Sequence, residues 1–121
     1  MNLRLVFVSI LVHIAAAAAF GQSGWDEHTR TGEYAFARGD LKRAETEFQA
    51  ALEIAQSLPQ GDRRLETSLS NLGRLYEHES DYDKAQPLYQ LLLAAQEMRL
   101  GTESPALLDT LYAVARASQP T

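Results

Sequence analysis

The chain has 121 residues, of which 45% are hydrophobic, and its 11 Lys and Arg against 16 Asp and Glu give a net charge of −5. This length holds one domain, the apolar content is too high for a disordered chain, and an acidic balance with Lys42 and Lys84 as the only lysines argues against general nucleic-acid binding, which needs clustered cations. The absence of cysteine removes a disulfide framework, a thiolate metal site and a cysteine nucleophile.

The first element is apolar. Residues 5–20 carry no charge, follow Arg4, and run from Leu5 through Ile14 into five alanines, Ala15 to Ala19. A basic start, a short apolar core and a small-residue exit form the layout of a secretory signal peptide. Ala19 and Gly21 supply small residues for cleavage before Gln22, with cleavage after Ala17 or Ala19 as alternatives. The run is 16 residues long, short of the roughly 20 a membrane span requires, although an uncleaved anchor is the alternative. Residues 1–21 are therefore expected to be a signal peptide that directs the protein to the periplasm or the outside. Residues 22–121 are the expected working domain. Cleavage takes 21 of the 121 residues and Arg4 with them, leaving 100 residues with a charge of −6.

The rest of the chain repeats. Gly32 and Gly73, Ala44 and Ala85, and Phe48 and Tyr89 are each separated by 41 residues, and Leu65 to Arg74 matches Leu107 to Arg116 at 42. Each unit reads as two helices. In the second unit Leu65, Leu69, Leu72 and Tyr76 form one helical stripe, and Tyr82, Ala85, Tyr89, Leu92 and Leu93 form another. Asp62 and Asp81 are placed to cap helices, and Ser104-Pro105 is an N-cap followed by proline at the first helical position. The units span about 25–58 and about 62–100, with a single helix at about 104–118. Gly32 and Gly73 stand mid-helix, where glycine costs about 1 kcal/mol against alanine. Close approach of the second helix, with Ala44 and Ala85 as small partners and the aromatics one turn on, is the expected reason. Pro87 lies inside a helix that is expected to continue through it.

Gly32, Phe36, Gly39, Asp40, Ala44, Phe48 and Ala51, and again Leu69, Leu72, Gly73, Tyr76, Ala85 and Tyr89, resemble the tetratricopeptide repeat signature. The longer period, with Thr67 to Leu72, Tyr82 to Tyr89 and Leu100-Gly101, is similar to the kinesin-light-chain type of that repeat. The resemblance implies an all-α solenoid of antiparallel helix pairs, about two and a half repeats long, that binds a protein or peptide as an adaptor or assembly factor. It implies no cofactor, metal or catalysis. His28 stands at the position where the family has tryptophan, and Trp25 is one turn early.

The family's concave-face positions fall on Thr29, Arg30, Glu33, Phe36, Ser70, Asn71, Arg74, Glu77, Tyr112 and Arg116. Arg74 and Arg116 are 42 apart and so equivalent; together they can grip a carboxylate or an acidic peptide through bidentate hydrogen bonds. Asn71 can read a peptide amide. The alternative for each arginine is an ion pair with Glu33, Glu77 or Asp109. In the last helix Leu107, Leu111 and Val114 are expected to pack inward, leaving Leu108, Tyr112 and Ala115 as an apolar strip for self-association or a partner helix. Glu77-His78-Glu79 with Asp81 and Asp83 reads as a solvated capping turn, since its order puts no ligand set on one helix face. The chain is also open to being a piece of a longer protein of this kind.

Overall fold

The computed structural model describes residues 24–119. The apolar run and the expected cleavage site at Gly21 and Gln22 lie outside them. Helix α1 covers residues 24–37, α2 Leu41–Gln56, α3 Arg63–His78, α4 Tyr82–Leu100 and α5 Leu108–Ala117. A 3-10 turn, Pro105–Leu107, leads into α5. Among the described residues there is no strand, and no helix is long and apolar enough to cross a membrane.

Local chemistry sets the helix ends. The carboxylates of Asp40, Asp62 and Asp81 accept from the backbone N–H groups of Arg43, Arg64 and Lys84, satisfying donors that a helix start leaves unpaired. Asp40 and Asp81 do two jobs. Their own N–H groups bond back to the carbonyls of Ala35 and Tyr76, while Gly39 and Ser80 bond to Phe36 and Glu77. This is the paired bonding of a Schellman turn, so the last turn of one helix leads directly into the cap of the next. The turn requires a left-handed residue, and Gly39 has φ +77°. Ser80 stands at the same place in the second pair with φ +59°, without glycine's freedom from a Cβ. Asp62 also takes two side-chain bonds from Arg64, at 3.0 and 2.7 Å; chiefly through them its carboxyl is lowered to about 2. Helix α4 continues through Pro87.

The mid-helix glycines mark the closest packing. A methyl group on Gly32 would lie 2.6 Å from the Phe48 ring, and one on Gly73 would lie 2.8 Å from the Tyr89 ring. The aromatic rings themselves therefore cover the glycines. Ala44 and Ala85, expected to face them, are completely buried while the rings occupy the space over each glycine. Leu69, Leu72, Leu75 and Leu92 complete the core around these locks.

Neighbouring pairs are tied by polar bonds as well as by apolar contact. The Trp25 indole N–H donates to Ser68 Oγ at 2.8 Å, joining α1 to α3. The Tyr76 hydroxyl donates to Glu45 Oε1 at 2.9 Å and accepts from Gln49 Nε2 at 3.1 Å, joining α3 to α2. His28, at the expected tryptophan position, meets Glu47 of α2 at 2.6 Å. The result is an all-α solenoid of antiparallel helix pairs.

Helix α5 corrects one expectation. Leu107 is buried and Val114 half-buried, but Leu111 is exposed, and Thr110, Ala113 and Ala117 face inward in its place. Thr110 and Ala117 are the counterparts, 42 residues on, of Ser68 and Leu75, which are buried in α3 as well, so α5 keeps the register of α3. What differs is the cover: α4 follows α3 and Leu69 is buried, whereas among the described residues no helix follows α5 and Leu111 is exposed.

Candidate partner-binding groove

Two helices one repeat apart, α3 and α5, present a groove between them. Ser70, Arg74 and Glu77 of α3 line one wall, Asp109, Thr110, Ala113 and Arg116 of α5 the other, and Tyr89 and Leu92 of α4 lie beneath, around a volume of about 260 Å³. Four positions expected on the concave face, Ser70, Arg74, Glu77 and Arg116, are thus brought together.

Their electrostatics are set by Glu77. Arg116 donates to it through Nε at 2.6 Å and Nη2 at 3.1 Å. From beneath, the Tyr89 hydroxyl donates to Oε2 at 2.6 Å. The Arg116 bonds, followed by the Tyr89 bond, hold the Glu77 carboxyl below its ordinary value despite partial burial. The same contact raises Arg116, and Tyr89 is pushed far up by burial and then by Glu77. Arg74 differs from its repeat equivalent. It is exposed and feels Glu77 only through space. Among the described residues, then, Arg116 ties α5 to α3 through Nε and Nη2, while the Arg74 side chain makes no hydrogen bond. Tyr112 is exposed, and its ring lies under the Arg116 guanidinium at 5.2 Å.

The remaining positions fall elsewhere. The Asn71 amide nitrogen is buried without a hydrogen-bond partner, so this group does not face the groove as expected. Thr29 is also buried, with its hydroxyl unpaired. Phe36 packs edge-on against His78. Arg30 lies with Glu27, Thr31 and Tyr34 in a separate shallow depression on α1, bonded to the Asp26 carbonyl at 3.3 Å. Glu33 is exposed on α1, one residue after its packed glycine, as Arg74 is on α3.

The acidic stretch at the end of α3 is dispersed. Glu77 bonds to Arg116, His78 packs on Phe36, and Asp81 caps α4. Among the described residues no three His, Asp or Glu side chains are grouped to hold a metal ion.

A larger depression, about 550 Å³, lies between the α2–α3 connection and the end of α4 and includes Leu58, Pro59, Leu65, Ala95 and Met98. The Arg99–Glu66 pair, at 2.7 and 2.8 Å, stands at its rim. Sequence spacing did not single it out because its residues come from two repeats and a loop. The one available signal was Met98, apolar yet outside the stripe of α4.

The sequence profile of the tetratricopeptide repeat matches residues 28–97. No curated protein and no solved structure shows a significant match to the chain.

Proposed function

From the premise that the chain belongs to the tetratricopeptide repeat family, we propose that it is an exported, non-catalytic interaction module that binds a protein or peptide in the α3–α5 groove. Stacked helix pairs offer an extended concave surface rather than a deep cleft, which suits a peptide or a protein loop. The observation that carries this reading is Arg74, an exposed guanidinium held beside Ser70 and above Tyr89 and Leu92 in that groove. An acidic side chain of the ligand pairs with Arg74 and also reaches the free Nη1 edge of Arg116, forming charge-assisted bonds. Glu77 and Asp109 oppose a second acid there, so the ligand carries one acidic anchor rather than a run of them. The period of 41 to 42 residues supports the kinesin-light-chain type of repeat, and an adaptor or assembly role follows from binding without chemistry.

The test compares proteins captured by the purified chain from envelope or secreted fractions with those captured by Arg74→Glu. Loss of the same bound protein in the variant is expected. An unchanged bound set overturns the groove. Arg116→Glu is not an equivalent control, because it also removes the bond that holds α5. Export is tested separately by the mass of the protein recovered from its host, which is expected to begin at Gln22. Retention of residues 1–21 in a membrane fraction favours the anchored alternative instead.

A further inference from the structure

Helix α5 has a second surface, turned away from the core and outside the groove. Leu108, Leu111 and Tyr112 are 65%, 45% and 66% exposed, and Ala115 is exposed beside them. At helical spacing these four form one stripe opposite Thr110, Ala113 and Ala117, which face the core. Asp109 and Arg116 border the same long edge of that stripe, seven residues or about 10 Å apart along the axis. The opposite edge, with Val114 and Ser118, carries no charge.

This pattern is complementary to itself. Two copies of a helix related by a two-fold axis perpendicular to both run antiparallel, and each edge meets its own counterpart. A crossing between Tyr112 and Ala113 sets Asp109 of each copy against Arg116 of the other. It also brings Leu108 within about 3 Å, along the axis, of the level of Ala115 and sets the two Tyr112 rings beside the axis. Glu77 occupies Nε and Nη2 of Arg116, leaving Nη1 for the second copy's carboxylate. A parallel pair would instead set the charged edge of each copy against the uncharged Val114–Ser118 edge of the other, leaving Asp109 and Arg116 without this pairing. We propose that this face of α5 pairs two copies of the chain as an antiparallel, two-fold homodimer. Ten residues of helix are about 15 Å long, and a standard stable interface buries about 800 Å² per partner. The contact is smaller than that, so the dimer is reversible and forms with rising concentration. It uses the same Nη1 of Arg116 that the proposed groove ligand reaches, so an acidic ligand bound there competes with pairing.

Sedimentation equilibrium of the protein expressed from its full sequence tests this over about 1–500 μM, a range that brackets weak association. The average mass is expected to rise from one chain toward two. Tyr112→Ser should weaken pairing by about tenfold or more, and Asp109→Lys by several-fold. Both sites are exposed, so the helical circular dichroism should be retained. Because the chain has no cysteine, single cysteines report the geometry. Tyr112→Cys should oxidise to a linked dimer, and Leu108→Cys should link to Ala115→Cys in a mixture but not to itself. A single-chain mass at every concentration overturns the proposal, as does self-linkage of Leu108→Cys as efficient as that of Tyr112→Cys. A partner of another kind on this face would give the first of these results.

Discussion

In the first helix pair the ring over the glycine is Phe48; in the second it is Tyr89. The two rings fill equivalent spaces, but Tyr89 has a hydroxyl, and that hydroxyl donates to Glu77. Glu77 in turn holds Arg116 of α5. The first lock is thus purely apolar and closes its own pair. The second also fixes a carboxylate that fastens the next helix and forms part of the groove wall. The difference teaches that one packing device can be kept while a single oxygen gives it a second role.

Removing the rings tests the shared part and should have the largest effect. Phe48→Ala and Tyr89→Ala are each expected to cost about 3–5 kcal/mol, the usual penalty for emptying a buried aromatic site, measured by urea unfolding. A cost well under 2 kcal/mol at either site would show that the ring is not what closes that pair. Next come the glycines. Gly32→Ala and Gly73→Ala gain about 1 kcal/mol in helix propensity but force a methyl against a ring at 2.6 or 2.8 Å, and overpacking of this kind costs about 1–3 kcal/mol. Net destabilisation in both is expected from the same unfolding curves. Stabilisation in one alone would show that its ring has room to move.

Tyr89→Phe isolates the difference and should have the smallest effect, about 1 kcal/mol for one hydrogen bond. This cost should vary with pH. Glu77 is held below its ordinary value, mainly by Arg116 and then by Tyr89. Stability from the ionised contact is therefore complete above the ordinary carboxylate value near pH 4 and is lost as pH falls through the lower folded value. The gap between wild type and Tyr89→Phe should narrow over that acid range in pH-dependent thermal melts. A gap that stays constant to pH 2 would mean that the hydroxyl does not act through the carboxylate.

Much of the fold was legible because it rests on spacing. The 41-residue offset, the glycine and aromatic positions and the capping aspartates are local patterns, and each has a direct structural counterpart. The exposure of Leu111 was not legible, since helical spacing alone does not tell which faces of α5 have a neighbour to pack against. The groove was legible only in part. Repeat equivalence located Arg74 and Arg116 on neighbouring α3 and α5. Which of them would pair with Glu77 depends on how those helices pack, and a helical wheel carries no such information. The buried amide of Asn71 and the reach of Trp25 to Ser68 belong to the same class. Each depends on the contact between α1 and α3 or on the local tilt of a helix, which a linear pattern does not encode.

The ties between helix pairs have a kinetic consequence. Among the described residues, the widest sequence separation bridged by a side-chain hydrogen bond is 43, between Trp25 and Ser68; the Arg116–Glu77 bond spans 39. Every such tie joins a helix to its own repeat or to the adjacent one. Chains dominated by short-range contacts close small loops and fold quickly, and stacked repeats propagate order from neighbour to neighbour. Each helix pair can therefore form as soon as its own 40 or so residues are free, before the remainder of the chain has emerged.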